Sequence, residues 1–450
     1  MEQALAGQLL DSARKVSEQA EVFCLSSYET SVHFEANRLK GIMTSESADA
    51  ALRVVREGKI GFSAASGLRS SLPSGPGTED GLRRLTEMAV ETSRFGKPAR
   101  FQFPSPADYP EVAVFDRRVA SLAAESMIEL GSELVARVRE HSPDIVCDVE
   151  VTKGTSSVRI VNSHGGEVDY DKSFFVIGLE GVVIRGTDML FVGDSLDSCR
   201  LPDRTELVAD KVIEQLKLAE GKATVSTRPL PVLFTPRGVA TALLGSMALA
   251  FNGKMVLEGS SPLKGRLREQ VFDSAFSLCD DATLDYCLGS SSCDDEGSPS
   301  RQLSLVRNGV IHAFLYDLQT AGLAGVQSTG SGRRAAGTGQ IRPAPSSLVI
   351  PEGELPFQAM VEGMKEGLVV ERLIGADQGN LLGGDFGGNV LLGYKVEHGE
   401  IVGRVKDTMV AGNIYQVLKQ SIAVGSEARW VDGVIRCPCF WCPSLSVSAK

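Results

Sequence analysis

Three thiols fall within six residues at Cys437-Pro438-Cys439-Phe440-Trp441-Cys442. Thiolate sulfur is a preferred tetrahedral ligand of zinc, so such a run binds the ion when a fourth ligand arrives from elsewhere. No second Cys or His pair stands at finger spacing, and a strand whose cysteine and aromatic side chains pack in a core accounts for the run without a metal. The five histidines, His33, His141, His164, His312 and His398, are each more than five positions from the next. The pair of imidazoles on one helical face that many zinc hydrolases use is therefore missing. Three of them fall at turns or a loop, and His33 and His312 fall within strand patterns.

Asp294-Asp295-Glu296-Gly297 is the densest acidic cluster. Mg²⁺ and Ca²⁺ take carboxylate oxygens, but the alternating ligands of a calcium loop are absent. A solvated turn before a strand at Arg301–Val306 fits the same residues. Ser328-Thr329-Gly330-Ser331-Gly332-Arg333-Arg334 combines exposed amides with two guanidiniums, a pattern that grips a carboxylate or phosphate or else forms a flexible loop. Gly379, Gly383, Gly384, Gly387, Gly388 and Gly393 surround Asp385-Phe386 and permit close backbone approach. No helix follows them, as a dinucleotide site requires. Gly253-Lys254 is followed by Met255, which lacks the hydroxyl of a phosphate-binding loop, and no Gly-x-Ser-x-Gly nucleophile elbow occurs.

The elements that must carry these residues change character along the chain. Leu5, Leu9, Ala13, Val16 and Ala20 step by three and four, which predicts an opening amphipathic helix. Strand patterns follow at Val22–Leu25, Ser31–Leu39, Leu52–Val55 and, past a Glu57-Gly58 turn, Ile60–Ala64. Ser71–Gly77 is rich in proline and glycine and reads as a loop. Helices are predicted over Glu79–Thr92, Val119–Arg139 and Glu206–Leu218. Between the last two lie an alternating stretch at Cys147–Val151, a His164-Gly165-Gly166 turn and a nearly apolar strand at Phe174–Ile184. Ala219–Leu230 has linker composition and places a boundary near residue 225, between domains 1–225 and 226–450. Thr235-Pro236 starts a helix and Asn252-Gly253 stops it. Beyond, Asn308-Gly309, His398-Gly399 and Asp432-Gly433 are hairpin turns, with one short helix at Ile414–Ile422. The expected class is α+β: an N-terminal antiparallel sheet with helices, then a C-terminal, mostly antiparallel β domain as a curled sheet or open barrel.

Composition bounds the partners. The 450 residues are 43% hydrophobic and 23% charged, enough for more than one core. The formal charge of −11 repels phosphate backbones, and no basic patch offsets it, so nucleic acid is an unexpected partner. The longest uncharged run, Gly238–Gly253, is 16 residues and reads as a buried helix, because a bilayer span needs ~20. Met1-Glu2-Gln3 opens no secretory pattern. Nine cysteines form an odd, scattered set that suits reduced thiols. A soluble cytoplasmic protein is expected.

Several pieces occur in one order: Phe34-Glu35-Ala36-Asn37-Arg38-Leu39-Lys40, Leu52-Arg53-Val54-Val55, Asp294-Asp295-Glu296-Gly297 and Val306-Arg307-Asn308-Gly309-Val310. Ser328-Thr329-Gly330 with Arg333-Arg334, Gly384-Asp385-Phe386, Tyr394–Ile401, Val405-Lys406 and Ala411-Gly412-Asn413 continue the series. It resembles the TldD/PmbA family, often labelled modulators of DNA gyrase. One branch of that family carries a His-Glu-x-x-x-His helix that binds zinc and cleaves peptides. The corresponding helix here, Pro236–Phe251, puts Gly245 and Ser246 near the His-Glu pair and Ala250 near the second histidine. None of these can ligate zinc or act as a general base, so the chain is similar to the other branch, PmbA or TldE. The family's cysteine ligand falls near Cys437–Cys442, without histidines to complete a site.

The resemblance implies a non-catalytic subunit, with no metal or cofactor of its own, in a peptide-cleaving assembly. Its partner would be a TldD-type zinc protease subunit, its ligand an unfolded peptide, and alone it would form a homodimer. Arg333, Arg334, Asp294, Asp295, Glu296 and Asp385 are then the charged residues expected to contact peptide. The competing reading is a stand-alone metal-dependent hydrolase, acting as a homodimer through Cys437–Cys442 or the Asp294–Glu296 carboxylates. Direct action on gyrase or DNA conflicts with the acidic charge.

Overall fold

Long strands with one helix-covered face build the first half of the chain. The computed structural model describes residues 2–68, 75, 77–335, 337–376, 378–420 and 422–449, so most of the Ser71–Gly77 loop lies outside the described residues. Helix α1 (Glu2–Arg14) precedes strands β1 (Gln19–Glu35), β2 (Arg38–Arg56) and β3 (Lys59–Ser66). Helices α2 (Glu79–Ser93), α3 (Arg117–Ser121) and α4 (Ala124–His141) follow. Strands β4 (Val146–Asn162), β5 (Glu167–Arg185) and β6 (Asp188–Ser198) and helix α5 (Leu207–Leu218) complete this half. The six strands pair antiparallel in the order β3-β2-β1-β4-β5-β6 and curl into a half-barrel. Side chains alternate across a strand. Val22 and Cys24 of β1 therefore share a core with α1 and α2, and Val32 and Phe34 meet α4 farther along the same face.

The second half opens with β7 (Lys222–Ala223) and β8 (Arg228–Phe234), then α6 (Pro236–Val239), a π-helical turn (Ala240–Leu244), α7 (Gly245–Ala250) and α8 (Gly253–Glu258). Strands β9 (Leu278–Asp281), β10 (Gln302–Arg307) and β11 (Val310–Ile311), helix α9 (Leu318–Ala324), and strands β12 (Gly332–Arg334), β13 (Ile341–Pro343) and β14 (Leu348–Val349) come next. After α10 (Phe357–Glu362) run β15 (Glu366–Ile374), β16 (Asp385–Glu397), β17 (Glu400–Val405) and β18 (Thr408–Asn413). The last elements are α11 (Ile414–Val417), β19 (Ala423–Val431) and β20 (Ile435–Ala449). Strands β8, β15, β16, β18 and β20 close a five-stranded barrel. Its β8–β15 pair is parallel and the other four are antiparallel. Closure rests on β18 pairing with the end of β20, from Thr408 opposite Ala449 to Ala411 opposite Ser446.

Alternation along the barrel strands explains why they read as continuous apolar runs: both faces are covered. Val232, Phe234, Leu368 and Val370 enter the barrel core beside Val239, Leu243, Met247 and Phe251 of the helical segment. Their neighbours Leu233, Val369 and Cys439 face the other way, into a core shared with α4, α5 and β5 of the first half. Two sheets are thus joined by apolar packing as well as by chain connectivity. No helix among the described residues is long and apolar enough to cross a membrane.

Candidate functional site

Charged residues from the two halves meet at one buried place. Strand β1 supplies Glu21 and β2 supplies Arg53; the loop before β10 supplies Asp294, Asp295 and Glu296, and β12 supplies Arg333 and Arg334. Glu21, Asp294 and Glu296 are 0% exposed and Arg53 is 5% exposed, so water solvates none of them effectively. Burying unpaired charge is costly, and the chain provides the compensation. The Arg53 guanidinium donates to Glu296 Oε1 at 2.6 Å and to Glu21 Oε2 at 2.8 Å, and Arg334 donates to Glu21 Oε1. Backbone amides complete the shell. Asp294 accepts from Glu296 N at 3.0 Å, Ser298 N at 2.8 Å and Gly332 N at 2.9 Å. Glu296 Oε2 accepts from Leu318 N at 2.7 Å, and Asp295 accepts from Arg334 N at 2.7 Å. Aromatic faces cover the cations. Arg53 lies 5.0 Å and 4.9 Å from the ring centres of Phe101 and Phe103, and Arg334 lies 4.6 Å from that of Phe23.

Burial dominates the proton affinities here. It pushes the Glu296 carboxyl up to about 8 against the pull of Arg53, and Asp294 up to about 6 against its amide donors. Asp280, 3% exposed beside this group, is likewise pushed up to about 6 by burial. Burial lowers the Arg53 guanidinium, but Glu21 and Glu296 outweigh it and the net shift is upward; Arg334 shifts downward with burial.

Five of the six residues expected to contact peptide therefore converge, in an interior network. The turn at Asp294–Glu296 is not solvated, because Arg53 and backbone amides replace water around its carboxylates. Arg334, with a side chain 1% exposed, is engaged by Glu21 and has no open face toward a peptide. Arg333 lies 3.8 Å from Asp295 and donates to Ser346. Asp385 stands apart and exposed, at the start of β16, accepting from Asn413 Nδ2 at 2.8 Å. Sequence reasoning missed Glu21 and Arg53 as members of this group. A signal existed: each interrupts an apolar strand pattern, Ala20-Glu21-Val22 and Leu52-Arg53-Val54.

The helical segment from Pro236 starts as the sequence predicts. Thr235 is its N-cap, accepting from Gly238 N, and Pro236 occupies the first turn. Asn252 does not stop it so much as begin the next helix, accepting from Lys254 N and Met255 N. Residues Ala240–Leu244 form a π-helical turn immediately before Gly245. Gly245 has no side chain, Ala250 is fully buried in the barrel core, and Ser246 carries a buried hydroxyl without a hydrogen-bond partner among the described residues. These residues do not fit a zinc ion. Nor do the thiols: Cys437 and Cys442 face the barrel core while Cys439 faces the other core. Burial pushes Cys439 and Cys442 up to about 12 and raises Cys437 as well, whereas a metal takes the thiolate. Among the described residues no group of three or more His, Cys, Asp or Glu side chains is placed to hold a metal ion.

Comparison with known proteins extends the picture. Residues 227–449 match the family model described as the PmbA/TldA metallopeptidase C-terminal domain, and residues 20–93 match PmbA/TldA metallopeptidase domain 1. An uncharacterized protein of Methanocaldococcus jannaschii is 26% identical over 421 residues, covering 92% of this chain and 93% of its own. A protein named metalloprotease from Methanothermobacter thermautotrophicus is 25% identical over 439 residues, covering 94% and 91%. The crystal structure of TldE from Thermococcus kodakarensis superposes with a TM-score of 0.88 over 98% of this chain and 99% of that one; at 21% identity this likeness speaks to the fold. With two models of one family matched in order, relatives aligned over nine-tenths of their length, and a shared fold, the chain belongs to the PmbA/TldD family of metallopeptidase-like proteins.

Proposed function

We propose that this chain is the non-catalytic, TldE-type subunit of a TldD-like metalloprotease assembly, binding an extended, unfolded peptide that a zinc-bearing partner cuts. The observation that carries this reading is the donor set at the helical segment Pro236–Ala250. Gly245, Ser246 and Ala250 offer neither imidazole nor carboxylate, and Ala250 is packed in the barrel core. Water activation needs a metal with an open position and a nearby base, and these residues supply neither. Peptide capture is supported by a free strand edge. Strand β3 pairs only with Asp49–Arg56, so among the described residues the outer side of β2 from Arg38 to Ser45 has no strand beside it. Such an edge adds an extended segment by main-chain hydrogen bonds with little sequence selectivity. Asp385 keeps its assignment as a peptide contact, since it is exposed on the barrel. The five residues of the buried network are assigned instead to locking the halves together.

Alone, the chain is proposed to form a homodimer, which light scattering checks. The purified chain should contain well under one zinc per molecule and leave an unstructured peptide intact, even with zinc supplied. Mixed with a TldD-type protein of the same cell, it should raise cleavage that a chelator abolishes. Chelator-sensitive cleavage by this chain alone, with contaminating protease excluded, would overturn the assignment and favour the stand-alone hydrolase.

A further inference from the structure

Between the first half and the barrel lies a cavity of about 240 Å³. It is open to solvent along the exposed side of β19 and is large enough for a small molecule. It is walled by β6 and α5 on one side and by the start of α6, β15, β16, β19, β20 and α10 on the other. Its chemistry is mixed in an ordered way. Glu371, 4% exposed within the apolar run of β15, takes Lys211 at 3.2 Å and accepts from the Thr235 hydroxyl at 3.1 Å. Lys211 also holds Glu214 at 3.2 Å. Arg429 donates to Asp194 at 2.8 Å, its one hydrogen bond among the described residues, which leaves the rest of its five-donor fork unused. Arg237 reaches in from α6, bonded to Gly193 O at 3.0 Å. Glu427 on β19 and Asp432 in the turn after it, both exposed, enter no salt bridge among the described residues. Trp430, 38% exposed, and half-buried Phe357 give the wall an apolar side, over the buried ring of Tyr394.

We infer that this cavity binds a zwitterionic amino acid or dipeptide. Its carboxylate would sit on Arg429 and Arg237, its ammonium on Glu427 and Asp432, and its side chain against Trp430 and Phe357. The volume admits a ligand of that size. Of the three lining cations, Lys211 is taken by Glu371 and Glu214 and Arg237 by Glu180 at 3.4 Å, so the exposed Glu427 and Asp432 keep no salt bridge among the described residues and can receive a positive group. Arg429 supplies a planar fork suited to a carboxylate. The assignment rests on the lining alone and does not depend on the role in proteolysis proposed above.

The test uses the full chain without any partner, with leucylglycine as probe and its N-acetylated and C-amidated forms as controls. Binding is read by calorimetry and by the fluorescence of Trp430, which a Trp430→Phe variant identifies. Leucylglycine should bind saturably, and either cap should weaken it about tenfold or more, the effect of losing one charge-assisted contact. Arg429→Ala should weaken leucylglycine while leaving the amide unchanged. A Glu427→Gln, Asp432→Asn double variant should weaken leucylglycine while leaving the N-acetyl form unchanged. These three positions are exposed, so the variants should melt as the parent does. No saturable binding at about millimolar probe, or equal binding of the capped forms, overturns the inference. Either result leaves the reconstitution experiment with the zinc-bearing partner unaffected.

Discussion

Arg53 holds two buried carboxylates at once, and its loss would strand both. Above about pH 8, where Glu296 is ionised in the folded chain, Arg53→Ala should lower stability by about 3–5 kcal/mol in chemical denaturation, the cost of leaving buried charge uncompensated. An exposed pair such as Arg83 with Asp80, at 2.9 Å on α2, should matter by under about 1 kcal/mol in the same assay. The network also predicts a pH dependence. Glu296 has its folded value raised to about 8 from an ordinary 4.5, and Asp294 and Asp280 theirs to about 6 from 3.8. Between the ordinary and raised values the folded chain binds more protons than the unfolded one, so stability falls as pH rises through that window. The urea midpoint should therefore be higher at about pH 6 than at about pH 8, and Glu296→Gln should flatten the difference; a midpoint rising toward pH 8 would contradict this. At this scale the sequence displayed the acidic turn and the paired arginines but not their burial. Their carboxylates are solvated or enclosed depending on Glu21 and Arg53, which lie more than two hundred residues away.

The helical segment Pro236–Ala250 illustrates what an element reveals. Its N-cap and proline start were legible because capping is local chemistry. Its π-helical turn was not, since the wider turn is decided by packing in the barrel core. Ser246 follows that turn with a hydroxyl unpartnered among the described residues, so Ser246→Ala should raise stability by about 1 kcal/mol, measured by thermal or urea unfolding. A loss of that size would mean the hydroxyl has a partner. Elsewhere, the strand expected at Val22–Leu25 and the first five residues of that expected at Ser31–Leu39 are one strand, β1, which ends at Glu35; the chain turns at Ala36-Asn37 and Leu39 belongs to β2. The polar middle that interrupted the pattern is tied across to β2, with Ser27 and Ser47 hydroxyls 2.9 Å apart and those of Thr30 and Thr44 3.4 Å apart. The helix expected over Val119–Arg139 is two, α3 and α4, because Leu122 is extended between them. The opening helix ends at Arg14, and Ala20 belongs to β1. At Ile414–Ile422 only Ile414–Val417 is helical.

Across the whole molecule, one apolar core includes α4, α5 and β5 from the first half and Leu233, Val369, Leu392 and Tyr394 from the second. Apolar burial of this kind contributes about 1.5–3 kcal/mol per large side chain, and here it is shared. The backbone of the two halves also meets tightly: a Cβ on Gly322 of α9 would overlap the carbonyl oxygen of Arg100, and Gln319 bonds both Arg100 N and Pro98 O. Calorimetry should therefore show a single unfolding transition, and Gly322→Ala should lower its midpoint; two resolved transitions would show the halves to be energetically separate. The α+β class and the hairpins at Asn308-Gly309, His398-Gly399 and Asp432-Gly433 were legible, since both residues of each pair take positive φ as such turns require. The cavity between the halves was not, because its walls come from eight segments that no local pattern links.

The pairing of β20 has a consequence for how the chain is made. Strand β8 needs β20 as its antiparallel neighbour, and β18 closes the ring only against the far end of β20. On a ribosome, β8 emerges about two hundred residues before β20 does. At translation speeds of roughly 5–20 residues per second, its apolar face waits for roughly 10–40 s. The first half, whose sheet needs nothing beyond β6, can form in that interval and offer Leu233 and Val369 a surface to rest on. Nascent chains released early, short of β20, should consequently be the species that chaperones hold and proteases remove.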